Sequence, residues 1–162
     1  MGIPLIERVK IQAQVLIPLV KTLHAELGQE RANAVVHKAL AELYREFGEE
    51  WWRSRESHDL GDNMATAFGT FAAGHALDYE VVKQTPDAFE VNVTRCRYAE
   101  FYKELGAPEL GFLLTCCADF ALAEGYGPHV QLTRTQTIMQ GASHCDFRYA
   151  ATNRKKLSQS NE

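Results

Sequence analysis

The stretch "DYEVVKQTPDAFEVNVTRC", residues 78–96, decides the fold. Two runs rich in β-branched and aromatic residues flank Pro86 and Asp87, a turn-forming pair, so the stretch reads as a β-hairpin. In its second run Phe89, Val91 and Val93 alternate with Glu90, Asn92 and Thr94. That period of two gives one apolar face and one polar face.

The chain upstream of this hairpin has a different period. In "IPLIERVKIQAQVLIPLVKTLHAELG" the residues Ile6, Val9, Ala13, Leu16, Val20, Leu23 and Leu27 recur at three- and four-residue steps, with Gly28 placed as a C-cap. Pro18 falls inside this pattern, where it is expected to kink or divide the helix. A second helix is expected over "QERANAVVHKALAELYREFGEEWWRSR", with Ala32, Val36, Leu40, Leu43 and Phe47 on one stripe. A weaker third covers "DNMATAFGTFAAGHA", loosened by Gly69 and Gly74.

Downstream, "YAEFYKELG" reads as a short helix. "PELGFLLTCCADFALAEGYG" reads as a longer one, opened by Pro108 and Glu109. Two strands follow, "HVQLTRTQTIM" and "SHCDFRYAA", joined at Gln140-Gly141-Ala142. The expected architecture is α+β: an N-terminal helical layer packed on a four-stranded antiparallel sheet built as a β-β-α-α-β-β unit. One domain is expected over 1–152, helical over 1–76 and sheet-containing over 77–152. Residues 153–162 read as a polar, disordered tail.

With 162 residues, 46% hydrophobic and 23% charged, the chain has room for one proper core and not for two. A net charge of −4 offers no nucleic-acid or anionic-membrane surface. No stretch reaches the roughly 20 uninterrupted apolar residues of a membrane span, and the start resembles no signal peptide. A cytoplasmic protein is expected. Its Cys96, Cys116, Cys117 and Cys145 then read as thiols, metal ligands or a nucleophile rather than disulfides.

Cys116 and Asp119, three apart on a helix, share a face, while Cys117 points about 100° away. Two buried small hydrophobes would explain the cysteines. Asp119, set among Leu113, Leu114, Phe120 and Leu122, still needs a partner. A carboxylate beside Cys116 would also raise the thiol pKa rather than activate it. Cys145 shares a strand face with Phe147 and Tyr149, whereas His144, Asp146 and Arg148 face the other way. His144 and Cys145 therefore do not pair with each other, and the alternating polar residues also suit a plain solvent face. Cys96 ends the hairpin. It could join Cys116 and Cys145 in a zinc site completed by Asp119 or a histidine, although no C-x-x-C spacing supports this. Trp51, Trp52, Arg53 and Arg55 suit either a pocket wall or a subunit interface.

Taken together, the Asn-x-Thr-Arg-Cys of residues 92–96, the Cys-x-x-Asp of 116–119 and the Gly-x-x-x-Cys-Asp-Phe-Arg of 141–148 form a recognisable set. Over about residues 90–149 the chain resembles the L-2-amino-thiazoline-4-carboxylic acid hydrolase family. The resemblance implies hydrolysis of a C–N or C=N bond in a small cyclic amidine or amide. No cofactor and no metal are expected. It points to Cys116, Asp119 and Cys145 as catalytic, Cys116 being the expected nucleophile and Cys145 the alternative. Asn92, Cys96, His144 and Arg148 are expected to bind substrate.

A small-molecule or zinc-binding sensor module is the competing expectation. The partners expected are a small heterocyclic substrate and further copies of the chain, with no nucleic acid and no membrane. The first two helices carry Leu5, Ile6, Ile11, Leu16, Ile17, Trp51 and Trp52, more apolar surface than a four-stranded sheet covers. A homo-oligomer through these helices follows.

Overall fold

A computed structural model describes residues 2–152; the expected polar tail, 153–162, lies outside the described residues. Three helices, α1 (Leu5–Leu27), α2 (Gln29–Arg53) and α3 (Leu60–Ala72), precede the hairpin of β1 (Leu77–Thr85) and β2 (Ala88–Cys96). Then come α4 (Arg97–Glu104), α5 (Pro108–Gly111), a π-helical turn (Phe112–Cys116) and α6 (Ala118–Gly125). The described residues close with β3 (Val130–Thr133), a 3₁₀ turn (Ile138–Gln140) and β4 (Cys145–Ala151). This is the α+β arrangement read from the sequence: helices first, then a four-stranded antiparallel sheet, in the order β1-β2-β4-β3.

The alternation in β2 and β4 sets the layers. Val91 lies opposite Phe147 and Val93 opposite Cys145, so the apolar residues of both strands share one face. That face packs under Leu60, Met64, Ala67 and Phe68 of α3, with Ala123 of α6 and Tyr126 completing the layer. Phe68 sits at its centre, its ring within 5.6 Å of those of Tyr79, Phe89 and Phe147. Burying a side chain of this kind contributes about 2–3 kcal/mol. On the opposite face lie Glu90, Asn92, Asp146 and Arg148. Arg148 donates to Asn92 Oδ1 and to the Val91 and Phe147 carbonyls.

The helix α1 runs unbroken through Pro18. Proline removes one hydrogen bond, to the Gln14 carbonyl; Gln14 and Pro18 are both exposed, which leaves that group open to solvent. Beyond Gly28, held at φ 78°, α2 doubles back, and Ala13 and Val20 of α1 share a cluster with Val36 and Leu40. The helices α2 and α6 cross at Gly48 and Gly125. A Cβ on Gly125 would lie 2.2 Å from the Arg45 carbonyl oxygen, so only glycine permits this approach. The crossing brings α6, and Asp119 with it, down over the sheet.

Two elements differ from the sequence reading. The helix expected over residues 108–127 is interrupted by the π-turn, which ends at Cys116. The strand expected over 129–139 stops at Thr133. Past that point Asp146 accepts the backbone N–H groups of Thr135 and Gln136, at 2.9 and 3.0 Å. Those donors are thereby taken from any strand ladder. The helical apolar surface is also better covered than expected: Ile6 is buried, and Leu5, Leu16, Ile17, Trp51 and Trp52 are half-buried. The tryptophans pack on Tyr126. An outward stripe of Ile11, Val15 and Leu19 remains exposed on α1. Among the described residues, no helix is long and apolar enough to cross a membrane.

Candidate active site

Between the helical layer and the apolar face of the sheet lies a cavity of about 130 Å³. Its walls come from every layer: Leu5 and Val9 of α1, Tyr44 of α2, Phe68 and Phe71 of α3, Leu77 of β1, Tyr98 of α4 and Leu122 of α6. Cys96, Cys116 and Cys145 all line it, together with Asp119 and Arg134. Each thiol arrives for a local reason. Cys96 closes β2 where α4 begins, Cys116 ends the π-turn, and Cys145 opens β4 on its apolar face. A π-turn inserts one residue into a helix and re-aims its side chains, and such turns gather at functional sites.

The partner that Asp119 requires is Arg134. Its guanidinium forms a short hydrogen-bonded ion pair with Asp119 and donates to the Cys116 carbonyl at 3.2 Å. It also lies 4.9 Å from the Phe120 ring and 5.3 Å from that of Phe147. Desolvation by the apolar walls raises the Asp119 carboxyl to about 6, the Arg134 charge holding it from rising further. The side chain of Asp119 keeps 28% of its surface accessible against 3% for Arg134. Because apolar walls surround it, that access brings little of the screening of bulk water.

All three thiols are held protonated. Burial, followed by the Asp119 charge, raises Cys116 well above its ordinary value, and Arg134 opposes the rise. Cys96 is pushed up to about 11 by burial, against the Ala99 and Tyr98 amides at the start of α4. Cys145 is raised by burial, although its sulfur accepts the Ile138 N–H at 3.2 Å. A thiolate here must be made during the reaction. Among the described residues, no three His, Cys, Asp or Glu side chains group closely enough to hold a metal ion.

The remaining residues singled out in the sequence lie elsewhere. Asn92 and Arg148 bond each other at 2.8 Å on the sheet's other face. His144 meets Ser143 at 2.9 Å and the Gln136 amide. None of these three is among the residues that line the cavity. Asp146 anchors the segment 134–137: its carboxyl loses some solvation, and the Thr135 and Gln136 hydrogen bonds hold it below its ordinary value. Sequence reasoning missed Arg134. The one signal was the unmet need of Asp119 for a cation.

Fold and cavity define a small α+β domain with a partly open, thiol-lined pocket that holds the Asp119–Arg134 ion pair. Residues 8–149 match the model of the L-2-amino-thiazoline-4-carboxylic acid hydrolase family, and the chain belongs to that family. The match takes in the helical first half, beyond the 90–149 that carried the resemblance. No curated protein sequence matches the chain. Among solved structures, subunit 3 of a trafficking protein particle complex from Naegleria fowleri, covalently bound to palmitic acid, is similar at TM-score 0.50 and 12% identity. That alignment covers 89% of this chain and 97% of that one. The phenol-responsive sensory domain of the transcription activator PoxR, with phenol, is similar at TM-score 0.48 and 15% identity, over 91% and 75% of the two chains. At 12% identity the likeness to the trafficking-complex subunit is one of fold alone.

Proposed function

We propose that the chain hydrolyses a small cyclic amidine or amide, opening its ring through a cysteine nucleophile. The observation that carries this reading is the meeting of Cys116, Asp119 and Arg134 at one cavity, in a member of a family described as a hydrolase. Cys116 is the nucleophile and Asp119 its proton acceptor. Moving the Cys116 proton to Asp119 transfers the negative charge from oxygen to sulfur. Arg134, which bonds the Cys116 carbonyl and faces both groups, balances the charge before and after.

The thiolate adds to the ring carbon between two heteroatoms. The tetrahedral species collapses with cleavage of a ring bond, and the leaving ring atom takes the proton from Asp119. Water then hydrolyses the carbon–sulfur link, returning the thiol. Cys96 and Cys145 line the space around the reacting carbon, with Cys145 as the alternative nucleophile. Asn92, His144 and Arg148 lie off the cavity lining and take no part in this step. The chain acts as a homo-oligomer in this reading, the α1 stripe of Ile11, Val15 and Leu19 being the surface offered to a second copy.

A purified sample challenged with cyclic amidines, lactams and hydantoin-like rings, followed by mass spectrometry, tests the proposal. The expected result is addition of one water to at least one ring, lost in Cys116→Ala. Full turnover in that variant removes Cys116 from the mechanism. A second reading, ligand sensing without catalysis, draws on the apolar lining and the protonated thiols. Tight binding of a ring that never gains water decides for it.

A further inference from the structure

Resting on the reading above, a narrower question is which rings the cavity admits. The family takes its description from a ring bearing a carboxylate. We propose that this chain's substrate instead joins an N–H-bearing amidine or amide head, held by Asp119, to a small apolar substituent, the whole molecule being about the size of a benzene ring.

Charge is the first argument. Among the described residues lining the cavity, Asp119 and Arg134 carry the ordinary charges, and they already neutralise each other. A carboxylate entering here would meet Asp119 as a like charge. It would also shed its water without gaining an unpaired cation.

Access is the second. The two members of the pair are not equally presented: 28% of the Asp119 side chain is accessible and 3% of that of Arg134. Arg134 lies beside the Phe120 and Phe147 rings, its Nη1 spent on Asp119 and the Cys116 carbonyl. Asp119 receives Arg134 on Oδ2, and the described residues give Oδ1 no hydrogen bond. The polar end of the cavity therefore shows an acceptor, which suits the N–H groups of an amidine or amide.

Size and lining are the third. Away from that end the walls are Leu5, Val9, Phe71, Leu77 and Val93. The whole volume, about 130 Å³, is close to the roughly 150 Å³ of an apolar cavity that takes one benzene, so head and substituent together are held to about that size. A wholly polar ring would leave these walls facing unbonded polar atoms, whereas an apolar substituent fills them.

Calorimetric titration of the full chain carrying Cys116→Ala, which separates binding from turnover, compares two probes. One is 2-amino-thiazoline with a 4-methyl group, the other the same ring with a 4-carboxylate. The methyl compound is expected to bind about tenfold more tightly or better, because the carboxylate loses its water beside Asp119. Adding Asp119→Leu, which unpairs Arg134, or Val9→Arg, which puts a cation on the apolar wall, is expected to reverse the order. Two independent variants guard against one that fails to fold, circular dichroism reporting which does. Equal or tighter binding of the carboxylate by the Cys116→Ala chain overturns the proposal, and so does millimolar or weaker binding of both. Preference for the methyl compound without hydrolysis by the unsubstituted chain upholds this specificity and sinks the hydrolase reading. Hydrolysis of carboxylated rings alone does the reverse.

Discussion

Replacing Arg134 by Met leaves a stem of similar length while removing the charge that faces Asp119. The ordinary carboxyl value is 3.8, and the folded protein holds Asp119 at about 6. Folding thus favours the protonated acid. The stability this group contributes is full below about pH 3.8 and is lost as pH rises through 6. At roughly 1.4 kcal/mol per pH unit, ionised Asp119 already costs the folded chain about 3 kcal/mol. Without Arg134 the carboxyl rises further, and the loss continues past neutrality.

At pH 5 Asp119 is mostly protonated with or without Arg134, so the charge change costs almost nothing. The lost bond to the Cys116 carbonyl and the lost ring contacts remain, about 1–2 kcal/mol. At pH 8 the unpaired carboxylate adds about 3 kcal/mol, for a total within the range found when one partner of a buried ion pair is removed. Urea unfolding of parent and Arg134→Met at pH 5 and pH 8 reads this directly. Arg134→Met combined with Asp119→Asn is expected to recover most of the pH 8 loss. A penalty equal at the two pH values, or no recovery in the double variant, would refute the pairing and its electrostatic account.

Cys116→Ala is expected to lower ring-opening kcat/KM by roughly 10³-fold or more, and Cys145→Ala by far less; steady-state assays rank the two. The kcat/KM of the parent should rise from pH 5 and level off above an apparent pKa of about 6, where Asp119 becomes a proton acceptor. Asp119→Asn should abolish that limb, and a limb that persists in it belongs to another group. Gly125→Ala, whose Cβ would meet the Arg45 carbonyl oxygen at 2.2 Å, should cost about 3 kcal/mol. Its melting temperature should fall by roughly 6–12 °C, with no change expected in Gly69→Ala beyond helix propensity. Light scattering after size-exclusion chromatography should report a multiple of the 18.2 kDa chain mass; a single-chain mass at micromolar concentration removes the oligomer.

Much of the fold is written in local periodicity. A period of two in residues 88–96 and 145–149 divides each strand into a core face and a solvent face, because successive side chains of an extended chain must point apart. Three- and four-residue steps do the same for α1 and α2. Such rules involve only neighbours, so the sequence determines them by itself. Arg134 belongs to another kind of fact. Its run, "QLTRTQT", continues to look like strand, and nothing within it says that the ladder stops at Thr133. Asp146, distant in sequence, decides that by capturing the Thr135 and Gln136 amides. Burial of Asp119 then selects the one cation the loop delivers. The meeting of three thiols from three elements is likewise settled only when α6 crosses α2 at Gly48 and Gly125. Long-range packing makes these choices because a buried charge and a close helix crossing are satisfied only by groups that chain order leaves far apart.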